Sequence, residues 1–256
     1  AGTDTEQLKI EPRSFSFNDT TGQVKLDDTK QPALASWLSF SQPAFTALPG
    51  QWITEQIRLD VPSSAGFSYS FALVISRQSN PAPTEGGRLI KGSVAVFALV
   101  NVDRPGATSK LELTEFTASK HIYEYLPATL SVRFKNTGNT IVQPSGNIFI
   151  GRKTTGKPIA TLPVNEPQAY ILPNTERTLT ASWNDGFPAY QTVTATDGST
   201  TQHLSWNWSD LSHFRIGRYT AQVVAVYSDG QHDIPIQGEV SFWVIPWRSI
   251  LLLLVV

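Results

Sequence analysis

The chain has neither cysteine nor methionine in 256 residues, and only 16% of its side chains are charged, against roughly 25% in an ordinary soluble domain. Without cysteine there is no disulfide framework, no thiolate nucleophile and no cysteine-type zinc site. Twenty basic side chains against 21 acidic ones leave a net charge of −1. Phosphate binding needs a basic face to release counterions, so this balance argues against nucleic acid as a partner. A chain that lacks Met and starts Ala1-Gly2-Thr3 is expected to be processed, and small residues there fit removal of a secretory signal peptide. Amphipathic helical periods are missing up to the last few residues.

What is present is β-pattern. Short alternating or β-branched segments recur, each closed by a turn signal. Residues 8–17 and 52–61 alternate, and residues 67–76 and 93–102 are apolar enough to be central strands. Between the last two, Asn80-Pro81-Ala82-Pro83 opens a loop that runs to Gly87. After Asp103-Arg104-Pro105-Gly106 come segments at 111–116, 128–134, 147–150, 159–164, 178–183, 219–227 and 234–245. Asp229-Gly230, between the last two, is the strongest hairpin signal in the chain. Many strands without intervening helices predict an all-β protein. We expect two immunoglobulin-like antiparallel β-sandwiches in tandem, over residues 1–106 and 107–245, the second with a polar insertion near 192–213.

The C-terminus predicts something else. Phe242-Trp243-Val244-Ile245-Pro246-Trp247-Arg248-Ser249 leads into Ile250-Leu251-Leu252-Leu253-Leu254-Val255-Val256. Uninterrupted leucine favours helix over strand, and a bilayer span needs ~20 apolar residues, so residues 246–256 read as the start of a transmembrane helix. Pro246 suits its first turn, and Trp243, Trp247 and Arg248 are expected at the membrane interface. A hydrophobic tail packed on the body is the alternative. With the expected signal peptide, the anchor implies a single-pass protein of the cell membrane, its body extracytoplasmic and its C-terminus towards the cytoplasm.

Several turn-rich strings carry a family resemblance. Ser36-Trp37-Leu38-Ser39-Phe40, Leu48-Pro49-Gly50 and Val61-Pro62-Ser63-Ser64-Ala65-Gly66 occur in the first half. The second half has Phe134-Lys135-Asn136-Thr137-Gly138-Asn139, Pro144-Ser145-Gly146-Asn147-Ile148 and Ile171-Leu172-Pro173-Asn174-Thr175-Glu176-Arg177. Together with the closing aromatic segment, the chain resembles bacterial membrane-anchored two-domain immunoglobulin-like surface proteins. These are related to the family of WxL-associated peptidoglycan-binding and host-binding domains. The resemblance implies an envelope protein that binds or assembles, without catalysis.

Candidate chemistry is sparse. Gly151-Arg152-Lys153-Thr154-Thr155-Gly156-Lys157-Pro158 has phosphate-loop glycine spacing, but Pro158 stands where the Mg²⁺-holding hydroxyl belongs and no helix follows, so nucleotide binding is not expected. Among the histidines, only His232, with Asp229 and Asp233, has ligand-like neighbours, and the hairpin turn accounts for those residues better than a metal does. Neither metal nor cofactor is expected. Glu112 with Glu115, Asp27 with Asp28, and Asp185 read as solvated carboxylates. The group Trp183, Phe187, Tyr190, Trp206 and Trp208 stands out, because Trp206-Asn207-Trp208 falls in the polar insertion. Those three form the candidate binding surface, against the alternative that the indoles plug a sandwich edge. The expectation is therefore non-enzymatic binding, adhesion or scaffolding at the cell surface, with envelope polysaccharide or another surface protein as partner. A carbohydrate- or peptidoglycan-binding module using the Trp loop is the second reading, and a β-sandwich hydrolase the third.

Overall fold

A computed structural model of the chain describes residues 4–27, 32–78, 92–152, 156–195, 198–248 and 250–251. The expected loop at 80–87, the residues 153–155 of the glycine-spaced segment and the apolar run from Leu252 lie outside the described residues. The described chain is mostly strand and divides into two compact units, Ala1–Ala107 and Thr108–Val256.

In the first unit, β1 (Glu6–Arg13), β2 (Phe15–Phe17) and β3 (Val24–Leu26) precede a single helical turn, α1 (Pro32–Ala35). Then come β4 (Leu38–Phe40), β5 (Ala44–Ala47), β6 (Ile57–Leu59), β7 (Ser68–Arg77) and β8 (Ser93–Asn101). The main sheet is antiparallel in the order β5-β1-β7-β8, and β2-β3 and β4-β6 form separate two-stranded ribbons. The run Phe71-Ala72-Leu73-Val74 is buried on both faces of β7, as a near-continuous apolar segment requires. Leu38 of β4, with Leu34, joins Ile10, Phe71 and Leu73 in a small core. Two expectations change here. The segment 93–102 is not central, since among the described residues β8 is an edge with Val94, Val96 and Phe97 exposed. The segment 52–61 keeps only three residues of strand, because its partner β4 is itself short, and Trp52 stands in solvent.

The second unit holds β9 (Leu111–Ala118), β10 (Ile122–Tyr123), β11 (Ala128–Asn136), β12 (Ser145–Gly151) and β13 (Pro158–Pro163). It continues with β14 (Glu176–Trp183), β15 (Ala189–Thr194), β16 (Thr200–Ser205), a 3-10 helix (Trp208–His213), β17 (Gly217–Ser228) and β18 (Asp233–Val244). One sheet runs β10-β18-β17-β12-β13 and the other β14-β11-β9. All pairs are antiparallel except β10 with β18. Period-two burial sets both sheets. From β11, Ala128, Leu130, Val132, Phe134 and Asn136 point inward; from β17, Tyr219, Ala221, Val223, Ala225 and Tyr227 do. These faces share one core with Trp183 and Phe242, whose rings lie edge-on to each other at 6.1 Å. The outward residues of β11 pair with opposite charges directly across the ladder, Arg133 with Glu115 at 3.0 Å and Lys135 with Glu176 at 3.5 Å.

Asn136 is the polar exception on the inward face. Its Nδ2 donates to the carbonyls of Thr140 (2.7 Å) and Ile171 (2.9 Å), and its Oδ1 accepts from Gly138 N at 2.9 Å. The side chain thus closes the Thr137-Gly138-Asn139 turn and ties it to the Val142–Ile171 bridge. Asn165 does the same between Pro144 and Ala169. Gly146, in the adjoining strand, has φ +145° and lies so close to the Val224 carbonyl that a Cβ would collide with backbone.

Within and beside the polar segment expected near 192–213, β15 pairs with β16 in a ribbon whose exposed faces explain the polar composition, and the 3-10 helix follows. At the C-terminus, β18 ends at Val244, and past Pro246 the residues Trp247, Arg248, Ile250 and Leu251 are helical, with Ile250 N donating to the Pro246 carbonyl at 3.0 Å. Among the described residues no helix is long and apolar enough to cross a membrane.

Replacing Asn136 by Ala takes the side-chain donor from the buried Thr140 carbonyl and leaves the Ile171 carbonyl and the Gly138 N–H with only their backbone partners, Val142 N and the Lys110 carbonyl, which should cost about 1–3 kcal/mol. Denaturant unfolding of the variant is the check. A loss near that expected at an exposed strand position, about 0.5 kcal/mol or less, would contradict this role.

Candidate functional site

The expected binding residues sit where the β15–β16 ribbon returns to the sandwich. β16 ends at Ser205, Trp206 follows, and Trp208 opens the 3-10 helix. The two indoles lie 5.9 Å apart at 32°, and both pack on Phe187, at 5.8 Å for Trp206 and 5.4 Å for Trp208. Phe187 is buried, 5% exposed, whereas Trp206 is 48% and Trp208 69% exposed. The rings therefore form an outward platform on a buried base. They are not an edge plug.

Asn207 plays a different part from the one its neighbours suggest. Its Nδ2 donates to Asp210 at 2.8 Å and its Oδ1 accepts from Ser209 Oγ at 2.8 Å, so the side chain holds the turn between the indoles. The base is clamped from below. Phe187 N donates to the His213 carbonyl at 3.0 Å, and Phe187 bridges Phe214. Asp185, two residues before Phe187, takes Arg215 Nη2 at 2.6 Å and lies 3.0 Å from His213 Nδ1, while Arg215 Nε donates to its carbonyl. Asp185 is thus a structural anchor, not a solvated carboxylate. Sequence distance concealed this, since Asp185 and Arg215 meet only when the ribbon folds back.

The remaining grouped aromatics separate. Trp183 is core. Tyr190 lies edge-on to Tyr125 at 6.0 Å, and its N–H donates to the Leu126 carbonyl at 2.7 Å, which pins β15 to the body. Burial, and then the nearby Glu124 charge, raises the Tyr190 phenol above its ordinary value.

Of the residues expected at a membrane interface, Trp243 belongs to β18, its N–H donating to the His121 carbonyl, and it is partly exposed. Trp247 is exposed past the strand. Arg248 is turned back onto the body: its guanidinium lies 5.1 Å from the Trp247 ring centre and 3.6 Å from Glu124.

Other candidates resolve into turns. Gly151 pairs with Pro158 across the β12–β13 ladder. Asp229 accepts backbone N–H groups from Gln231 (2.8 Å) and His232 (2.7 Å), closing the β17–β18 hairpin, and His232 Nδ1 is 4.0 Å away. Among the described residues no three His, Asp or Glu side chains gather as a metal set.

No known family matches this chain, and no curated protein is similar to it. A solved protein of unknown function from Porphyromonas gingivalis W83 aligns with 93% of this chain and 86% of its own, at 12% identity and a TM-score of 0.25. A likeness that loose carries no argument.

The His232 and Gln231 amides hold the Asp229 carboxyl below its ordinary 3.8. A depressed carboxylate stabilises the fold above its unfolded value, and that contribution is lost as pH falls through the lower folded value. The advantage of wild type over Asp229→Asn should therefore be constant from neutral pH to about pH 4 and disappear below it. Paired melting curves across pH test this; an advantage that fades already between pH 7 and 5 contradicts it.

Proposed function

We propose that this chain is a non-enzymatic extracytoplasmic protein of the cell envelope, working by surface binding or scaffolding. On this reading its two units are immunoglobulin-like sandwiches carried outside the membrane on a C-terminal helix, in the manner of the WxL-associated surface proteins it resembles. The Trp206/Trp208 platform carries the proposal. Exposing two indoles beside each other forgoes the burial that large aromatics ordinarily obtain, and such pairs on a rigid base are the usual anchors of interfaces. The clamp of Asp185, His213 and Arg215 supports the same reading, because it orders the rings before any partner arrives and so lowers the entropy lost on binding. The helical turn after Pro246, entering the apolar run, supports the anchor.

A second reading, carbohydrate or peptidoglycan binding, is favoured by two exposed indoles only 32° apart in plane, with the Asn207 amide and the Ser209 hydroxyl next to them in sequence. Sugars present matching apolar faces edged with hydroxyls.

Trp206→Ala and Trp208→Ala should each weaken retention on isolated peptidoglycan or on partner-bearing cell envelopes by about tenfold, equivalent to ~1.4 kcal/mol of contact energy. Sedimentation with purified peptidoglycan, and separately with envelopes stripped of glycan, separates the two readings. Unchanged retention by both variants removes the platform from the function.

A further inference from the structure

The first unit carries an interaction surface along one strand edge. An edge strand presents unpaired N–H and C=O groups, and folded proteins blunt such edges with charge, proline, bulges or shortness. Among the described residues, the other edge strands of the three larger sheets all have one of these devices. β5 and β10 are only four and two residues long, β13 starts and ends on proline, β9 holds Glu112 and Glu115, and β14 holds Glu176 and Arg177. β8 has none. Its nine residues, Ser93–Asn101, include no charge and no proline, and it pairs with β7 in unbroken register.

The two faces of β8 say what the edge fits. Val94, Val96, Ala98 and Val100 alternate onto the face of Phe71 and Leu73, which stand opposite Ala98 and Val96 in the ladder. Ala98 and Val100 are partly buried against that core, whereas Val94 and Val96 are 64% and 54% exposed. Core cover is present at one end of the strand and missing at the other. On the opposite face Phe97 lies edge-on to Phe15 at 5.0 Å and is still 44% exposed.

The strand is also nearly self-complementary. In an antiparallel pairing about a two-fold axis at Phe97, Val94 meets Val100 of a second copy, Val96 meets Ala98, Ala95 meets Leu99, and polar Ser93 meets polar Asn101. Each pair differs by an even number of residues, so both faces are preserved across the join. The exposed valines of one copy are then set beside the covered end of the other. Pairing β8 with β5 of another copy would instead be head-to-tail and open-ended, and β5 offers only four residues. We propose that β8 is the interface of a two-fold homodimer, in which two copies of this chain join their four-stranded sheets edge to edge. One strand pair is a small interface, below about 1,200 Å², so the dimer is weak and concentration-dependent. The proposal rests on neither the envelope reading nor the indole platform.

Sedimentation equilibrium of the full 256-residue chain should show a reversible monomer–dimer equilibrium with a micromolar dissociation constant. Val96→Lys, at an exposed position, should raise that constant by about tenfold or more with the far-ultraviolet circular dichroism unchanged, because it sets like charges near the axis. Association through the apolar run from Ile250 would not respond to it. The absence of cysteine allows a second test, of register. Directly opposed residues of an antiparallel pair have Cα atoms about 4.5–5.5 Å apart, within the reach of a disulfide. Under mild oxidation two copies of Phe97→Cys should crosslink, whereas Ala95→Cys should do so only when mixed with Leu99→Cys. The proposal is overturned by a chain that stays monomeric, by assembly that continues past the dimer, or by a dimer indifferent to folded Val96→Lys. Crosslinking of Ala95→Cys alone as readily as of Phe97→Cys overturns it as well.

Discussion

The second unit depends on one constraint: β11 and β17 must turn their alternate residues towards each other at the same time. Leu130, Val132 and Phe134 on one side, and Tyr219, Ala221 and Val223 on the other, are essentially without solvent exposure. Because strand side chains alternate with period two, a one-residue slip of either strand would send that whole set outward. Register is therefore fixed by burial, and every other strand of the two facing sheets is placed by pairing with one of these two or with their neighbours. Asn136 sits at the end of the same inward row and converts a polar liability into a lock, its three hydrogen bonds reaching two loops that burial alone leaves unspecified.

The β15–β16 ribbon lies where that constraint relaxes. It is exposed on both faces, and a two-stranded ribbon is marginal alone. Its order comes from its base, through Tyr190 to Leu126, Phe187 to His213 and Asp185 to Arg215. The indole platform uses this base, since Trp206 continues directly from the end of β16 and both indoles pack on Phe187. One appended element thus creates an exposed apolar surface that the two facing sheets lack.

The first unit follows the same physics with less material. β7 is covered on both faces and β1 pairs along one side of it, but the opposing ribbons are short and the shared core is small. Burial of apolar area scales with core size, so the second unit is expected to hold most of the chain's stability. The exposed Val94, Val96 and Phe97 of β8 belong to this thinner packing.

Local chemistry was enough for much of this. Alternation placed the strands around 111–116, 128–134, 178–183 and 219–245, and Asp229-Gly230 announced its hairpin, because side-chain period and turn preference are properties of a few adjacent residues. The ribbon carried a similar signal, with Thr192-Val193-Thr194 and Thr200-Thr201 flanking Asp197-Gly198. Its lack of apolar residues made it read only as a polar insertion, since nothing in it declared a face to bury. The indole pair was legible as an unusual composition in a polar stretch; its buried Phe187 base and the anchor role of Asp185 were not. Nor could the strings around Arg248 and Glu124 announce that the two side chains meet, being more than a hundred residues apart in sequence. Pattern along the chain determines which residues seek burial or a turn, whereas ion pairs, orphaned acceptors and concavities arise between distant segments and exist only once the sheets have closed.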